Sequence, residues 1–420
     1  MEVTIQYKDS RLRLRLPDET DFEEFRPVSQ ARTLEFEEFI AALDDSEAAH
    51  FPLSETELFV VNDAYRPTPT ALILEWLRRS GRLSDKATFL VATGCHQAPD
   101  DLQLQRIFGD NFRHIRRRVL VHDAENGEGL KKAGTDPDGN EVFLNRSFIE
   151  AEKVTIIGSV EPHYFAGFTG GRKAVFPGLC DRRTTARNHG LAIDFAAGPM
   201  KLEGNPVHEN LQQLMALISV KKIFSIQIVM DCNSRPCSVQ CGDIETSFMS
   251  ACRESTGIFG RSTEGRFDLL LAEVRPPLDS NLYQLQKSLE NCQRSVSDGG
   301  TIILFSSCRE GIGTDSFYRL AEKWNTGEVE ALSGGDNFGI HKLTRVKEIT
   351  GRINVFLYSE LPGNISRRVF YQATKEPQTI IDKLARNNKF MRIALVRDSG
   401  HVVLMERSEE EEIRNYLEEQ

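Results

Sequence analysis

Two α/β domains, each built on a mostly parallel, doubly wound sheet, are what the sequence predicts, and three observations carry the prediction. Short apolar runs rich in β-branched residues end in polar, glycine-bearing turns, as buried parallel strands do where they leave a sheet. Stretches of helical periodicity separate these runs, the alternation that builds parallel crossovers. At 420 residues the chain is also too long for one ordinary core.

The chain opens with strict alternation at residues 3–7 and again at 12–16, which reads as a hairpin. Acidic segments at 21–25 and 33–43 read as helices. The α/β rhythm then begins with a strand at Leu58-Phe59-Val60-Val61 and a helix over 67–79, with Pro67 near its first turn. A second strand, Thr88 to Ala92, ends at Thr93-Gly94-Cys95-His96 and is followed by a helix over 99–108. Residues 119–121 form a third strand, and Asp136-Pro137-Asp138-Gly139 turns a hairpin. The run Val154-Thr155-Ile156-Ile157 is a further strand, and Asp181 caps a short helix that Gly190 stops, with His189 in its last turn. Asn205-Pro206 opens another helix, and residues 223–230 are a strand.

The polar stretch 255–266 marks a boundary, after which a second set begins. It comprises strands at 268–272, 301–305 and 354–358, helices over 282–296, 316–324 and 377–386, and paired strands at 391–396 and 401–405 before an acidic tail. The expected division is 1–262, completed by 390–420, against 263–389. Both parts are Rossmann-like, with the active site expected in the cleft between them.

Residues 158–189 concentrate the chemistry. His163, Lys173 and His189 stand among glycines directly after an apolar strand, and in parallel sheets function gathers beyond the carboxyl ends of the strands. Gly167, Gly170 and Gly171 can turn several N–H groups toward one point, forming a nest for a phosphate. Lys173 adds a cation or a nucleophilic amine. The spacing is not a P-loop, since Arg172 separates Gly171 from Lys173 and Ala174 stands where Ser or Thr would bind magnesium. A glycine-rich surface turn with a solvated lysine is the competing reading.

Asp63 and Arg66 follow one strand, His96 the next, and His163, Lys173 and His189 another, so parallel pairing would bring them to one edge. In the second domain Tyr283, Gln284 and Lys287 share a face of one predicted helix. That face is either a solvated edge or a wall of the cleft.

Charge and cysteine usage narrow the class. There are 52 basic and 62 acidic residues, a formal charge of −10, which argues against nucleic acid as the main partner. The eight cysteines include no C-x-x-C pair and the start carries no signal peptide, so a reduced, cytoplasmic protein is expected. Cys232, Cys237 and Cys241 match no common zinc spacing and read as buried free thiols. No run approaches the ~18 apolar residues of a membrane helix.

Taken together, D63-A-Y-R66-P67, T93-G-C-H96, H163-Y-F-A-G-F-T-G-G-R-K173, N188-H189 and Y283-Q-L-Q-K287 resemble, in order and approximate spacing, the nickel-pincer nucleotide-dependent lactate racemases and their 2-hydroxyacid racemase and epimerase relatives. The resemblance implies a pyridinium-3,5-bisthiocarboxylic acid mononucleotide carrying nickel, covalently attached at Lys173 or tightly bound. It implies His189 as the protein ligand to nickel, His96 and His163 as acid/base groups, and Arg66, Tyr283, Gln284 and Lys287 as substrate-binding groups. Asp63, Gly94, Gly167, Gly170 and Gly171 would line the nucleotide. Partners would be a small 2-hydroxyacid and the enzymes that build the cofactor. A homodimer is left open.

The implied chemistry suits these residues. Proton removal beside a carboxylate would develop a second negative charge, whereas hydride departure with one imidazole taking the hydroxyl proton gives a planar 2-oxoacid that can be reduced from the other face.

Three departures bear on the substrate. Ala64-Tyr65 stands where the family often has His-Thr, Gln97 stands where an arginine often follows the motif histidine, and Phe338 is placed where a tryptophan is usual. A larger or more polar acid than lactate is therefore expected. A nucleotide- or metal-dependent oxidoreductase or lyase acting on small hydroxyacids, and a non-catalytic nucleotide-binding protein, are the alternatives.

Overall fold

A computed structural model of the chain describes residues 1–29, 32–47, 51–219, 221–328 and 339–419. The chain forms two compact units, neither continuous in sequence: Val28–Ile258 with Ile413–Gln420, and Met1–Pro27 with Phe259–Glu412.

The first of these is built on a six-stranded sheet in the order Pro236–Asp243, Lys222–Met230, Lys153–Ser159, Leu58–Asn62, Thr88–Ala92, Val119–Val121. Only the first pair is antiparallel. Alternate residues of each strand feed opposite faces. Phe59, Val61, Phe89 and Val91 pack with Phe39, Ile73 and Leu77 on one side. Leu58, Val60, Leu90, Val154 and Ile156 pack with Phe148, Phe176, Val207 and Leu211 on the other. Covered on both faces, these strands have no polar side to show, which is why they read as continuous apolar runs. The helix Arg182–Gly190 is capped by Asp181 as expected. Cys232, Cys237 and Cys241 are half-buried rather than buried and form no disulfide.

The other unit has an all-parallel sheet in the order Gln372–Thr374, Asn354–Tyr358, Val296–Phe305, Phe267–Glu273, Arg392–Val396, Asp21–Phe25. The hairpin Glu2–Tyr7 with Ser10–Arg15 lays Val3, Ile5, Leu14 and Leu16 on Leu269, Leu271, Ile303, Ile393 and Leu395. Residues 21–25, expected as a helix, are thus an edge strand. Arg392 pairs with Asp21 at 2.9 Å and Glu23 at 2.7 Å, and Arg397 pairs with Glu24 at 3.1 Å, so distant cations neutralise the acidic run.

Two further expectations are corrected. Strands 391–396 and 401–405 do not pair: the first lies inside the six-stranded sheet, while Val403–Glu406 pairs in parallel with Gly260–Thr263. The acidic tail is a helix, Arg407–Glu419, whose Leu417 is buried and accepts at its carbonyl from Arg253 Nε at 2.6 Å. The two units meet in sequence at 258/259, and residues 390–412, expected to complete the first domain, lie in the unit of Phe259–Glu412. The stretch 255–266 is the end of a helix and a strand rather than a linker, and residues 1–27 belong with the later sequence because of the strand at 21–25. Among the described residues no helix is long and apolar enough to cross a membrane.

Within this second unit, helices Leu282–Cys292 and Ile340–Arg352 are joined by a fully buried pair. Arg345 Nε donates to Glu290 Oε1 at 2.7 Å and Nη2 to Oε2 at 2.8 Å. Removing one partner strands a charge where water cannot reach it. Arg345→Met is expected to cost about 3–5 kcal/mol in denaturant unfolding, and Glu290→Leu combined with Arg345→Met to recover most of that loss. Equal stability of the single and double variants would contradict this account.

Candidate active site

Three adjacent parallel strands, Thr88–Ala92, Leu58–Asn62 and Lys153–Ser159, deliver their carboxyl-end loops to the same edge of the first sheet. The loop after the central strand is organised by Asp63, which is only 5% exposed. Its Oδ1 accepts the Tyr65 N–H at 3.1 Å, and its Oδ2 lies 2.7 Å from His96 Nδ1. An ionised carboxylate only accepts, so His96 donates from Nδ1 and its Nε2 presents a lone pair. Asp63, placed along the nucleotide by the resemblance, thus holds the imidazole. The ring of Tyr65 sits 4.7 Å from the His96 ring.

Arg66 Nη1 donates to Glu161 Oε1 at 3.1 Å, linking this loop to the one that carries His163. Glu161 is fixed by Thr169, whose hydroxyl accepts the Glu161 N–H at 3.0 Å and whose own N–H donates to the Glu161 carbonyl at 2.8 Å. Sequence reasoning missed Glu161, although its place in Ser159-Val160-Glu161-Pro162-His163, directly after the strand, was the available signal.

His163 lies on a two-residue ladder, Pro162–His163 against Gly167–Phe168. Its Nδ1 accepts the Ala166 N–H at 3.3 Å, which leaves the proton of the neutral ring on Nε2. The two histidines are therefore held in opposite senses.

Phe165, also missed, is the hub of this loop. Its buried ring lies edge-on to His163 at 4.5 Å and to His189 at 5.2 Å, with Lys173 Nζ at 5.4 Å from its centroid. One phenyl ring thus gathers three of the expected site residues. His189 is half-buried in the last turn of its helix. That helix is tied down by Asn188, which donates to Asn210 Oδ1 at 2.9 Å and to the Val207 carbonyl at 3.2 Å. Burial pushes the Lys173 amine well below the usual lysine range, and the nearby Arg66 and Arg172 cations push it further in the same direction. A lysine so placed gives up its proton more readily than an exposed one, which favours the amine as a nucleophile.

The glycines serve close packing. A Cβ on Gly170 would stand 2.5 Å from Val160 Cγ2, and one on Gly171 would stand 2.7 Å from the Phe248 ring; both residues have positive φ. The Gly171 N–H donates to Gln227 Oε1 at 2.9 Å and the Gly94 N–H to the Gly178 carbonyl at 2.9 Å, so these two donors are engaged inside the chain rather than turned outward as a phosphate nest. Gly167 pairs with His163 in the short ladder.

Tyr283, Gln284 and Lys287 are half-buried on helix Leu282–Cys292 of the other unit, where Asn281 caps the helix by accepting the Gln284 N–H at 3.0 Å. Tyr283 is clamped by Lys342, whose Nζ lies 3.9 Å from the ring centroid and donates to the Tyr283 carbonyl at 3.2 Å. Burial first, and Lys287 second, drive the Lys342 amine far below its usual range. Lys342 was invisible in the sequence because it lies on the packed side of an otherwise ordinary helix. Phe338 lies outside the described residues.

Among the described residues no three His, Cys, Asp or Glu side chains gather to hold a metal ion. A metal at His189 would need donors from a bound group, and an imidazole and a nucleophilic amine on one ring suit a metal-bearing group that is anchored covalently.

Comparison with known proteins bears on the family and the fold. A model of the lactate racemase N-terminal domain matches residues 7–198, and a model of the lactate racemase C-terminal domain matches residues 272–332. The lactate racemase of Thermoanaerobacterium thermosaccharolyticum is 28% identical over 269 residues, and that of Lactiplantibacillus plantarum is 28% identical over 275 residues. Each match covers 62% of this chain and 62% of the relative, so the matched part spans less than two thirds of the curated relatives' length. The solved structure of the Thermoanaerobacterium thermosaccharolyticum lactate racemase apoprotein superimposes with a TM-score of 0.84 at 25% identity, covering 97% of this chain and 100% of that one. A Thermotoga maritima protein shares the fold, with a TM-score of 0.65 at 18% identity over 90% of this chain and 100% of its own.

Proposed function

The chain belongs to the lactate racemase family, and on that premise we propose that it inverts the C2 carbon of a 2-hydroxyacid larger or more polar than lactate. The observation that carries this reading is the opposite engagement of the two histidines, His96 with its Nδ1 on a carboxylate and His163 with its Nδ1 on an N–H. One imidazole presents a lone pair that can receive a proton and the other an N–H that can hydrogen-bond the substrate oxygen, so two differently held imidazoles can serve the oxygen during inversion through a planar 2-oxoacid.

Lys173 and His189 are the residues that would hold a nickel-pincer nucleotide, the first through its amine and the second through its imidazole. When bound, that group supplies the hydride-accepting chemistry that no side chain of this protein has. The remaining work falls to the chain. His96 Nε2 accepts the hydroxyl proton of one enantiomer while Asp63 keeps the ring from turning. His163 hydrogen-bonds the oxygen through Nε2–H, and it returns a proton there only from the imidazolium form, whose Nδ1 no longer accepts the Ala166 N–H. Arg66 takes the substrate carboxylate with the donors that Glu161 leaves open, and Glu161 holds the guanidinium plane. Ala64, Tyr65 and Gln97, which differ from the usual family residues around this site, are the basis for an acid other than lactate.

The test is the protein coexpressed with cofactor-building enzymes, assayed for nickel and intact mass and then offered a panel of single-enantiomer 2-hydroxyacids with chiral detection. Bound nickel with inversion of a larger or more polar acid is expected. Nickel-loaded protein that inverts none of them would refute the function, and inversion of lactate alone would refute the substrate assignment.

A further inference from the structure

We propose that Tyr65 sets substrate specificity, forming an aromatic wall beside His96 for a 2-hydroxyacid whose C3 carries a planar or extended apolar group. This rests on the function proposed above and names the substrate class of that site.

The argument is geometric. Tyr65 is 61% exposed, among the few large apolar side chains so open to water, and its ring lies 4.7 Å from the His96 ring at an interplanar angle of 57°. The backbone that carries the ring is anchored. The carboxylate that fixes His96 through one oxygen fixes the Tyr65 backbone through the other, at 2.7 and 3.1 Å. The imidazole and the backbone from which the Tyr65 ring projects are therefore held by a single buried group.

The next residue is Arg66, the cation for the substrate carboxylate, itself held by Glu161. A 2-hydroxyacid with its carboxylate on Arg66 and its hydroxyl at His96 Nε2 has two of its C2 substituents placed. Of the two left, the hydrogen must face the hydride acceptor, so the C3 group is directed along the remaining wall, where the Tyr65 ring stands. A methyl group would cover little of that ring. A phenyl or branched alkyl group would remove much of it from water and gain an offset or edge-to-face contact. Threonine, usual at this position in the family, offers no such surface.

The experiment compares 3-phenyllactate with lactate in the nickel-loaded wild type, Tyr65→Thr and Tyr65→Phe, reading kcat/KM for inversion. A second readout, independent of turnover, is calorimetric competition between 3-phenylpropanoate and propanoate for each protein. The expected result is a wild-type preference for the phenyl acid that falls by about tenfold in Tyr65→Thr and survives in Tyr65→Phe, in both readouts. Because each reading is a ratio within one protein, partial loss of folded material does not move it. Inversion with the same ratio in Tyr65→Thr as in wild type overturns the role of Tyr65 alone. A preference for acids with charged tails over phenyl ones also overturns it. Absence of inversion with every acid overturns the function, and this inference with it.

Discussion

Replacing His96 or His163 by alanine is expected to lower C2 inversion by about 10²–10⁴-fold each, with nickel content and thermal midpoint unchanged. The two losses should not multiply, because proton acceptance and proton return serve one reaction, and the double variant is expected to be nearly as impaired as either single one. Asp63→Asn is the sharper version of the experiment. Asparagine keeps the shape of the side chain but can present an N–H to His96 Nδ1 at the position now held by Oδ2, reversing the tautomer and moving the proton to Nε2. The loss should be on the order of 10²–10⁴-fold although no group that touches substrate is removed, as when the carboxylate of a catalytic triad is changed to its amide. Inversion within threefold of wild type in either alanine variant, measured on protein with full nickel, would mean that the histidine takes no part in proton transfer.

Lys173→Ala is expected to abolish the covalent cofactor mass and inversion together. The wild-type residue can be examined without the cofactor. Burial and the Arg66 and Arg172 cations lower its pKa, so the amine becomes free base at a lower pH than an ordinary lysine does. Below that pKa it is an ammonium and unreactive; above it, it acylates. Labelling by an amine-directed reagent, read by peptide mass across pH 6–10, should therefore rise at lower pH for Lys173 than for exposed lysines of the same digest, which serve as internal reference. Substituting Arg66 by methionine should move the Lys173 profile back toward higher pH by removing one of the cations. A Lys173 profile superimposed on those of exposed lysines would refute the nucleophile assignment, whatever the fate of the cofactor.

Much of the fold was legible because its signals are local. Apolar runs buried on both faces, the Asp181 cap and the Pro206 start were each visible within a few residues. The errors came where distant chain decides. Asp21-Phe22-Glu23-Glu24-Phe25 is a strand because Arg392 and Arg397, more than 360 residues away, neutralise it and offer an edge. The strands near the end were mispaired because closeness in sequence was taken for closeness in space. At the candidate site the residues proposed for acid/base and anchoring roles were visible as reactive types at successive strand ends. What no pattern could give was the partner of each: Asp63 with His96 across 33 positions, Arg66 with Glu161 across 95, and Phe165 as common ground for His163, Lys173 and His189. Lys342 was missed for the same reason, since its meaning lies in Tyr283, which it clamps from a neighbouring helix.

The edge strand Asp21–Phe25 also sets a timetable for synthesis. Among the described residues its one neighbour in the sheet is Arg392–Val396, so this strand emerges from the ribosome long before the strand it must lie against. At about 5–20 residues per second the gap is roughly 20–70 s. Through that interval the unit carrying Lys173, His96 and His163 can already be assembling around its own sheet, while the strand Asp21–Phe25 waits for its partner. A strand made well before its partner is thus among the last to be placed, and an acidic, charge-rich segment is well suited to waiting in water without sticking to other nascent chains.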